Sequence, residues 1–137
     1  MAANLLANAQ VLDKSGNKVN PMDSDKVLLY FTASWCPPCR AFTPKLNDAY
    51  KAWKGEGKSV SVVFVSSDQD EESHNNYYGH MDFFQIKFGD AAIQALAQEF
   101  KVSGIPFLVV LNNKGEVLST NARNDVAQKG KDALDGW

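Results

Sequence analysis

Residues 27–40 read VLLYFTASWCPPCR, and the change of character along this stretch decides the fold. Val27 to Thr32 is a continuous apolar run of strand length, suited to a central strand buried on both faces. After Ala33-Ser34-Trp35 the period changes. Cys39, Phe42, Leu46, Ala49, Tyr50 and Trp53 follow one another at steps set by helical spacing, which predicts a buried helix stripe beginning near Cys36 or Pro37. Gly55 and Gly57 close that helix, and Pro44, which carries no N–H, is expected to kink it. A Cys-x-x-Cys pair therefore sits where a buried strand runs out and a helix starts.

That position has a chemical consequence. The thiolate is the reacting species, and a free cysteine titrates near pKa ~8.5. Unpaired N–H groups at a helix N-terminus favour an anion. Cys36 is expected to have a depressed pKa and enough exposure to attack a disulfide. Cys39, a turn further in on the apolar stripe, is expected to stay shielded until a mixed disulfide forms and then to displace the substrate. Pro37 and Pro38 suit the first helical positions and should hold the sulfurs at bonding distance. Trp35 reads as a flat apolar wall beside Cys36. The bland alternative is a pair of buried structural cysteines, common in cores. It is weighed against strand, tryptophan, Pro-Pro and helix stripe falling in register. A metal site is disfavoured, because two sulfurs half fill a four-ligand zinc shell and neither His74 nor His80 has ligand spacing to them. No metal and no organic cofactor is expected.

Outward from this segment, strands and helices alternate, which predicts an α/β domain with a mixed sheet. Residues 9–13 and 18–20 flank a turn at Ser15-Gly16-Asn17 and read as a small hairpin at an edge. Val60 to Ser66 is a second central strand. Asp68 to Gly79 reads as a polar helix with acidic residues at its start, and a looser stretch follows through Phe83 and Phe84. Asp90 to Lys101 is an amphipathic helix with Ile93, Leu96, Ala97 and Phe100 on one face. The strand FLVVLN, a turn at Asn112 to Gly115 and EVLST form a hairpin, and one helix is expected from about Asp125 to Trp137.

Bulk properties exclude several classes. The 137 residues fit one domain spanning 1–137, with 45% hydrophobic and 22% charged residues and a net charge of −2 from 14 basic and 16 acidic side chains. No Lys/Arg cluster supports a nucleic-acid partner. No apolar run approaches membrane-spanning length, and MAANLLANAQ has no positive n-region of a signal peptide. The expectation is a soluble cytoplasmic monomer with neither nucleic-acid nor membrane partner.

The Trp35-Cys36-Pro37-Pro38-Cys39-Arg40 segment, preceded by its buried strand, resembles the thioredoxin superfamily and in particular its tryparedoxin and nucleoredoxin branch. Pro44 stands where thioredoxins carry a helix-kinking proline. Val65-Ser66-Ser67-Asp68 with EESHNNYYGHM (71–81) is similar to the strand and inserted helix of tryparedoxins. Ser103-Gly104-Ile105-Pro106 is similar to the loop with a cis proline facing the cysteines, and Thr120 to Arg123 to a segment after the hairpin. The resemblance covers about Gln10 to Arg123. It implies a thioredoxin fold: a central mixed β-sheet flanked by helices, with an N-terminal β-hairpin and an inserted helix.

By the same resemblance Cys36 is the attacking thiolate and Cys39 the resolving thiol of a redox-active disulfide. Trp35 and Pro37 line the substrate surface, Ile105 and Pro106 form the facing wall, and Arg123 binds an anionic thiol co-substrate. Asp68 either assists proton transfer or caps a helix. His74 and His80 read as surface or satisfied histidines, and the Tyr77-Tyr78 and Phe83-Phe84 pairs mainly as core or rim packing. One departure is Tyr30, which stands where thioredoxins place a buried aspartate; another is a hairpin turn that looks one residue tighter than in tryparedoxins.

The leading function implied is dithiol–disulfide exchange on protein disulfides, with a peroxiredoxin among the targets. A low-molecular-weight dithiol or a reductase would supply the electrons. The alternatives are a redox-gated binding module presenting Trp35, Phe83 and Phe84, and a dimer bridged by an iron–sulfur centre.

Overall fold

A strand buried on both faces must feed two separate layers, since successive side chains point to opposite sides. The computed structural model, which describes residues 2–137, shows this for β2 (Lys26–Thr32). Leu28 and Tyr30 join one core with Phe42, Leu46, Trp53, Val62 and Phe64. Val27, Leu29 and Phe31 join the other with Leu6, Val63, Ile86 and Leu96.

The elements run α1 (Ala2–Asn8), β1 (Val11–Leu12), a 3₁₀ turn at Pro21–Asp23, β2, α2 (Pro37–Gly55), β3 (Val60–Ser66) and α3 (Glu71–Tyr78). They continue as β4 (Phe84–Ile86), α4 (Ala91–Glu99), β5 (Phe107–Asn112), β6 (Val117–Ser119), α5 (Ala122–Lys129) and a 3₁₀ segment at Gly130–Gly136. The described strands form one mixed sheet in the order β1-β4-β3-β2-β5-β6. β2 pairs parallel with β3 and β3 with β4, whereas β5 runs antiparallel to both β2 and β6. Residues of α2, α3 and α5 fill the first core, and those of α1 and α4 the second. This is the thioredoxin fold.

Most expected elements stand where the periodicity puts them, and α2 continues through Pro44. The edge turn is also present: Asp13 N–H donates to Asn17 O and Val19 N–H to Val11 O, with a single bridge between Leu12 and Lys18. Its outer arm does more than close a hairpin, because Val11 and Leu12 pair antiparallel with β4.

Four details differ from expectation. Residues 2–8 form a helix that seats Leu6 in the second core. The stretch after Phe83 contains β4. The helix expected from Asp68 begins at Glu71, because the Asp70 carboxylate accepts from Ser73 N–H and caps it there. The final helix breaks at Gly130, whose φ of 57° and ψ of −131° only glycine adopts readily. The chain then finishes as a 3₁₀ segment, with Lys131 O accepting from the Trp53 indole.

Candidate active site

The central strand β2 ends at Thr32, and Ala33 O turns the chain by accepting from Cys36 N–H. Cys36 is the N-cap of α2, with extended backbone and Pro37 and Pro38 as the first helical residues. The Cys39 N–H, a donor left without an intrahelical partner by the helix start, lies 3.3 Å from Cys36 Sγ and points at it. The two cysteines are joined as a disulfide with their Cα atoms 5.2 Å apart. Cys39 is fully enclosed, as expected, whereas Cys36 keeps only 6% exposure, less than the accessible sulfur expected of it.

Ile105 provides the cover. It packs on the cluster of Ala33, Cys36 and Cys39, and its carbonyl oxygen lies 3.8 Å from Cys36 Sγ. The Ile105–Pro106 peptide is cis, as the resemblance implied. The loop hangs from the end of α4. There Lys101 takes a left-handed φ of 51° while Lys101 N–H bonds Gln98 O and Val102 N–H bonds Ala97 O, a Schellman ending. On the far side of the loop the Arg123 guanidinium donates to Pro106 O at 3.5 Å. Arg123, Lys101, Ser103, Ile105 and Asn121 line an open cleft of about 360 Å³.

On the opposite side Trp35 is 59% exposed and donates from its indole to Ser67 O. Of the expected site residues, Ile105 packs on the sulfurs, Trp35 and Pro37 flank Cys36 in the chain, and Arg123 reaches the loop through Pro106 O.

Two features escape sequence reading. The first is the role of Asp68. It neither caps α3 nor reaches the sulfurs; its buried carboxylate accepts from Ser34 N–H at 2.9 Å, Ser34 Oγ at 2.6 Å and Ser66 Oγ at 2.7 Å. It clamps the Cys36 loop to the end of β3. The second is a chain of buried hydroxyls, Tyr30, Thr43, Tyr77 and Thr32, beneath Cys39. Burial, reinforced by the neighbouring Tyr77, raises the Tyr30 pKa well above its usual value, so its phenol stays neutral. Thr43 lies four residues past Cys39, on the same helix face, and that spacing is the signal that could have found it.

Of the two readings of His74, surface or satisfied, the structure excludes the first: His74 is fully buried between the Phe64 and Phe88 rings, with Nε2 2.6 Å from Gln85 Oε1 and Nδ1 without a partner. Phe83 is fully buried and can present nothing to a partner.

A bonded Cys-x-x-Cys at a strand-to-helix junction, with one sulfur capping the helix, is a redox dithiol of the kind thiol–disulfide oxidoreductases use. On this sheet it defines a thioredoxin-fold protein. The thioredoxin-like family pattern matches residues 23–117, and the chain belongs to that family. It is 45% identical over 125 residues to probable nucleoredoxin 1 of Arabidopsis thaliana, covering 90% of this chain and 22% of that protein. It is 34% identical to the tryparedoxin of Trypanosoma brucei brucei, covering 100% of this chain and 96% of that one. The solved structure of tryparedoxin II complexed with glutathionylspermidine superposes with a TM-score of 0.83 at 34% identity, covering 91% of this chain and 89% of that chain. The chain spans about a quarter of the length of the first curated nucleoredoxins it matches. No described helix is long and apolar enough to cross a membrane.

Proposed function

We propose that the protein reduces protein disulfides by dithiol–disulfide exchange, with Cys36 attacking and Cys39 resolving. The observation that carries this reading is the asymmetric setting of the pair: Cys36 Sγ caps α2 and meets the Cys39 N–H, while Cys39 is wholly enclosed. A thiolate on Cys36 finds a hydrogen-bond donor and the positive end of the helix, and a thiol on Cys39 does not.

In the first step the Cys36 thiolate attacks one sulfur of the substrate disulfide. That bond breaks, and its electron pair leaves on the other sulfur, which takes a proton. Cys39 then gives up its proton, and its thiolate attacks Cys36 Sγ. This forms the Cys36–Cys39 disulfide and expels the second substrate thiolate. The protein loses two electrons and the substrate gains them; a thiol donor reverses the exchange at the protein.

Trp35 and Pro37 on one side and Ile105 and Pro106 on the other bracket the target, with the Ile105 backbone available to an extended substrate segment. Arg123, together with Lys101, offers positive charge to an anionic low-molecular-weight thiol, a reading supported by the likeness to the glutathionylspermidine-bound tryparedoxin. A peroxiredoxin is a fitting oxidised target. A reducing, cytoplasmic setting suits this use, because both cysteines of the sequence serve the redox pair and none serves as a structural crosslink.

The test is a turnover assay with excess small dithiol and a protein disulfide, on the wild type beside Cys36→Ser and Cys39→Ser. Multiple turnovers lost in Cys36→Ser, with Cys39→Ser held covalently on substrate, are the expected outcome. Oxidation once per protein molecule with no further cycles would replace the enzyme with a redox-gated binding module.

A further inference from the structure

The resolving step requires Cys39 to reach Cys36 Sγ in line with the bond it breaks, and the structure holds the two cysteines by separate means. The Cys36 loop is held through Ser34 by Asp68. Cys39 is held from beneath. Its carbonyl oxygen accepts from Thr43 Oγ1 at 2.9 Å and from Tyr30 Oη at 3.3 Å. Thr43 Oγ1 lies 2.7 Å from Tyr30 Oη and 2.7 Å from Tyr77 Oη, and Tyr77 Oη lies 2.7 Å from Thr32 Oγ1. The four residues come from β2, α2 and α3, and each is buried.

A hydroxyl has one hydrogen to give, and the Cys39 carbonyl oxygen can only accept, so the bonds that Thr43 and Tyr30 make to it are donated by the hydroxyls. In each contact among the four hydroxyls either partner can donate. None of the four is charged, and Tyr30 is kept neutral, so the cluster has no base among its members. Its action is geometric.

We infer that Thr43 and Tyr77 are positioning residues for the second half of the reaction: through the Cys39 carbonyl they fix the first turn of α2 and aim the resolving sulfur at the mixed disulfide. This rests on the oxidoreductase reading above. The hydroxyl bonds of Tyr30, Thr43 and Tyr77 reach Cys39 and one another and not Cys36 or Ser34, so the resolving step depends on them more than the first attack does.

The experiment mixes fully reduced protein with excess oxidised glutathione, quenches with acid at intervals, and counts free, glutathionylated and internally oxidised protein by mass spectrometry. The variants are Thr43→Val, which keeps the shape and removes the hydroxyl, Tyr77→Phe, and Thr43→Ser, which restores the hydroxyl. In Thr43→Val and Tyr77→Phe the glutathionylated species should form within about twofold of the wild-type rate and decay about tenfold more slowly, a rise of about 1.4 kcal/mol in the resolving barrier. Thr43→Ser should return the decay toward wild type. Decay at the wild-type rate in folded Thr43→Val or Tyr77→Phe, or equal slowing of both phases, would overturn the inference. If Thr43→Val fails to fold, Tyr77→Phe carries the same two outcomes. A wild type that never forms the internal disulfide would instead overturn the oxidoreductase reading itself.

Discussion

Asp68 shows how much one buried carboxylate can organise. Its two oxygens accept three hydrogen bonds, two from Ser34 and one from Ser66, and so tie the turn before Cys36 to the end of the neighbouring strand. Replacing Asp68 with alanine leaves those donors buried without an acceptor, which should cost about 2 kcal/mol in urea denaturation. The same change loosens the Cys36 loop while leaving the hydroxyl cluster intact, so glutathionylation should slow more than its resolution does, the reverse of Thr43→Val. The sequence marks Asp68 as a residue of interest yet does not reveal this role. A carboxylate shortly before a helix looks like a cap, and here Asp70 takes that place. His74 shows a related limit: its sequence neighbours leave surface and interior both open, and it is the packing of Phe64 and Phe88 that encloses it.

At the scale of elements, two helix ends make the same demand on the backbone, a positive φ, and meet it with different residues. Lys101 occupies the left-handed position of a Schellman ending, where a side chain is unfavourable and glycine is the usual residue. Lys101→Gly should therefore stabilise the protein by ~0.5–1 kcal/mol and raise the melting temperature by a few degrees. It also removes a cation from the Arg123 cleft, so affinity for an anionic thiol should fall in the same variant. Gly130 is the converse case. Nothing lies within 4 Å of a Cβ added there, so Gly130→Ala meets no clash, and its cost is that of the backbone alone, about 2 kcal/mol by calorimetry. Periodicity makes the long elements legible: β2, α2, β3, α4 and β5 each bury a stripe or run that a window of the sequence can register. It fails where the window is too small or the signal is tertiary. β4 has three residues and β1 two, and each is defined by its partner rather than by its own pattern. α1 has a single deeply set leucine, Leu6, and the break after α5 turns on one glycine angle. The disulfide site was readable because its cysteines, prolines and tryptophan are contiguous; the supports beneath it are not, since Tyr30, Thr43 and Tyr77 meet only when three elements pack.

For the molecule as a whole, the core facing α2 and α3 carries an unusual load of phenols, and this sets how the fold responds to pH. Tyr30, Tyr50 and Tyr78 all lie in that core, and burial raises the pKa of each above its ordinary value. An unfolded chain releases these protons near pH ~10, whereas the folded chain keeps them. Between the two values the folded state binds more protons than the unfolded one, so stability falls as pH rises. The contribution is complete below pH ~10 and is lost progressively above it, at about 1.4 kcal/mol per pH unit for Tyr30 alone. Between neutrality and pH ~9 these groups should leave stability flat. Urea midpoints measured from pH 8 to 11.5 test this directly, with phenolate absorbance followed in the same samples. The phenolate of Tyr30, taken as the difference between wild type and Tyr30→Phe, should appear together with unfolding rather than before it, and Tyr30→Phe should show a shallower alkaline slope than the wild type even though its midpoint at pH 8 is lower. Ionisation of Tyr30 near pH ~10 in a chain that stays folded would contradict the closed hydroxyl cluster on which the placement of Cys39 depends.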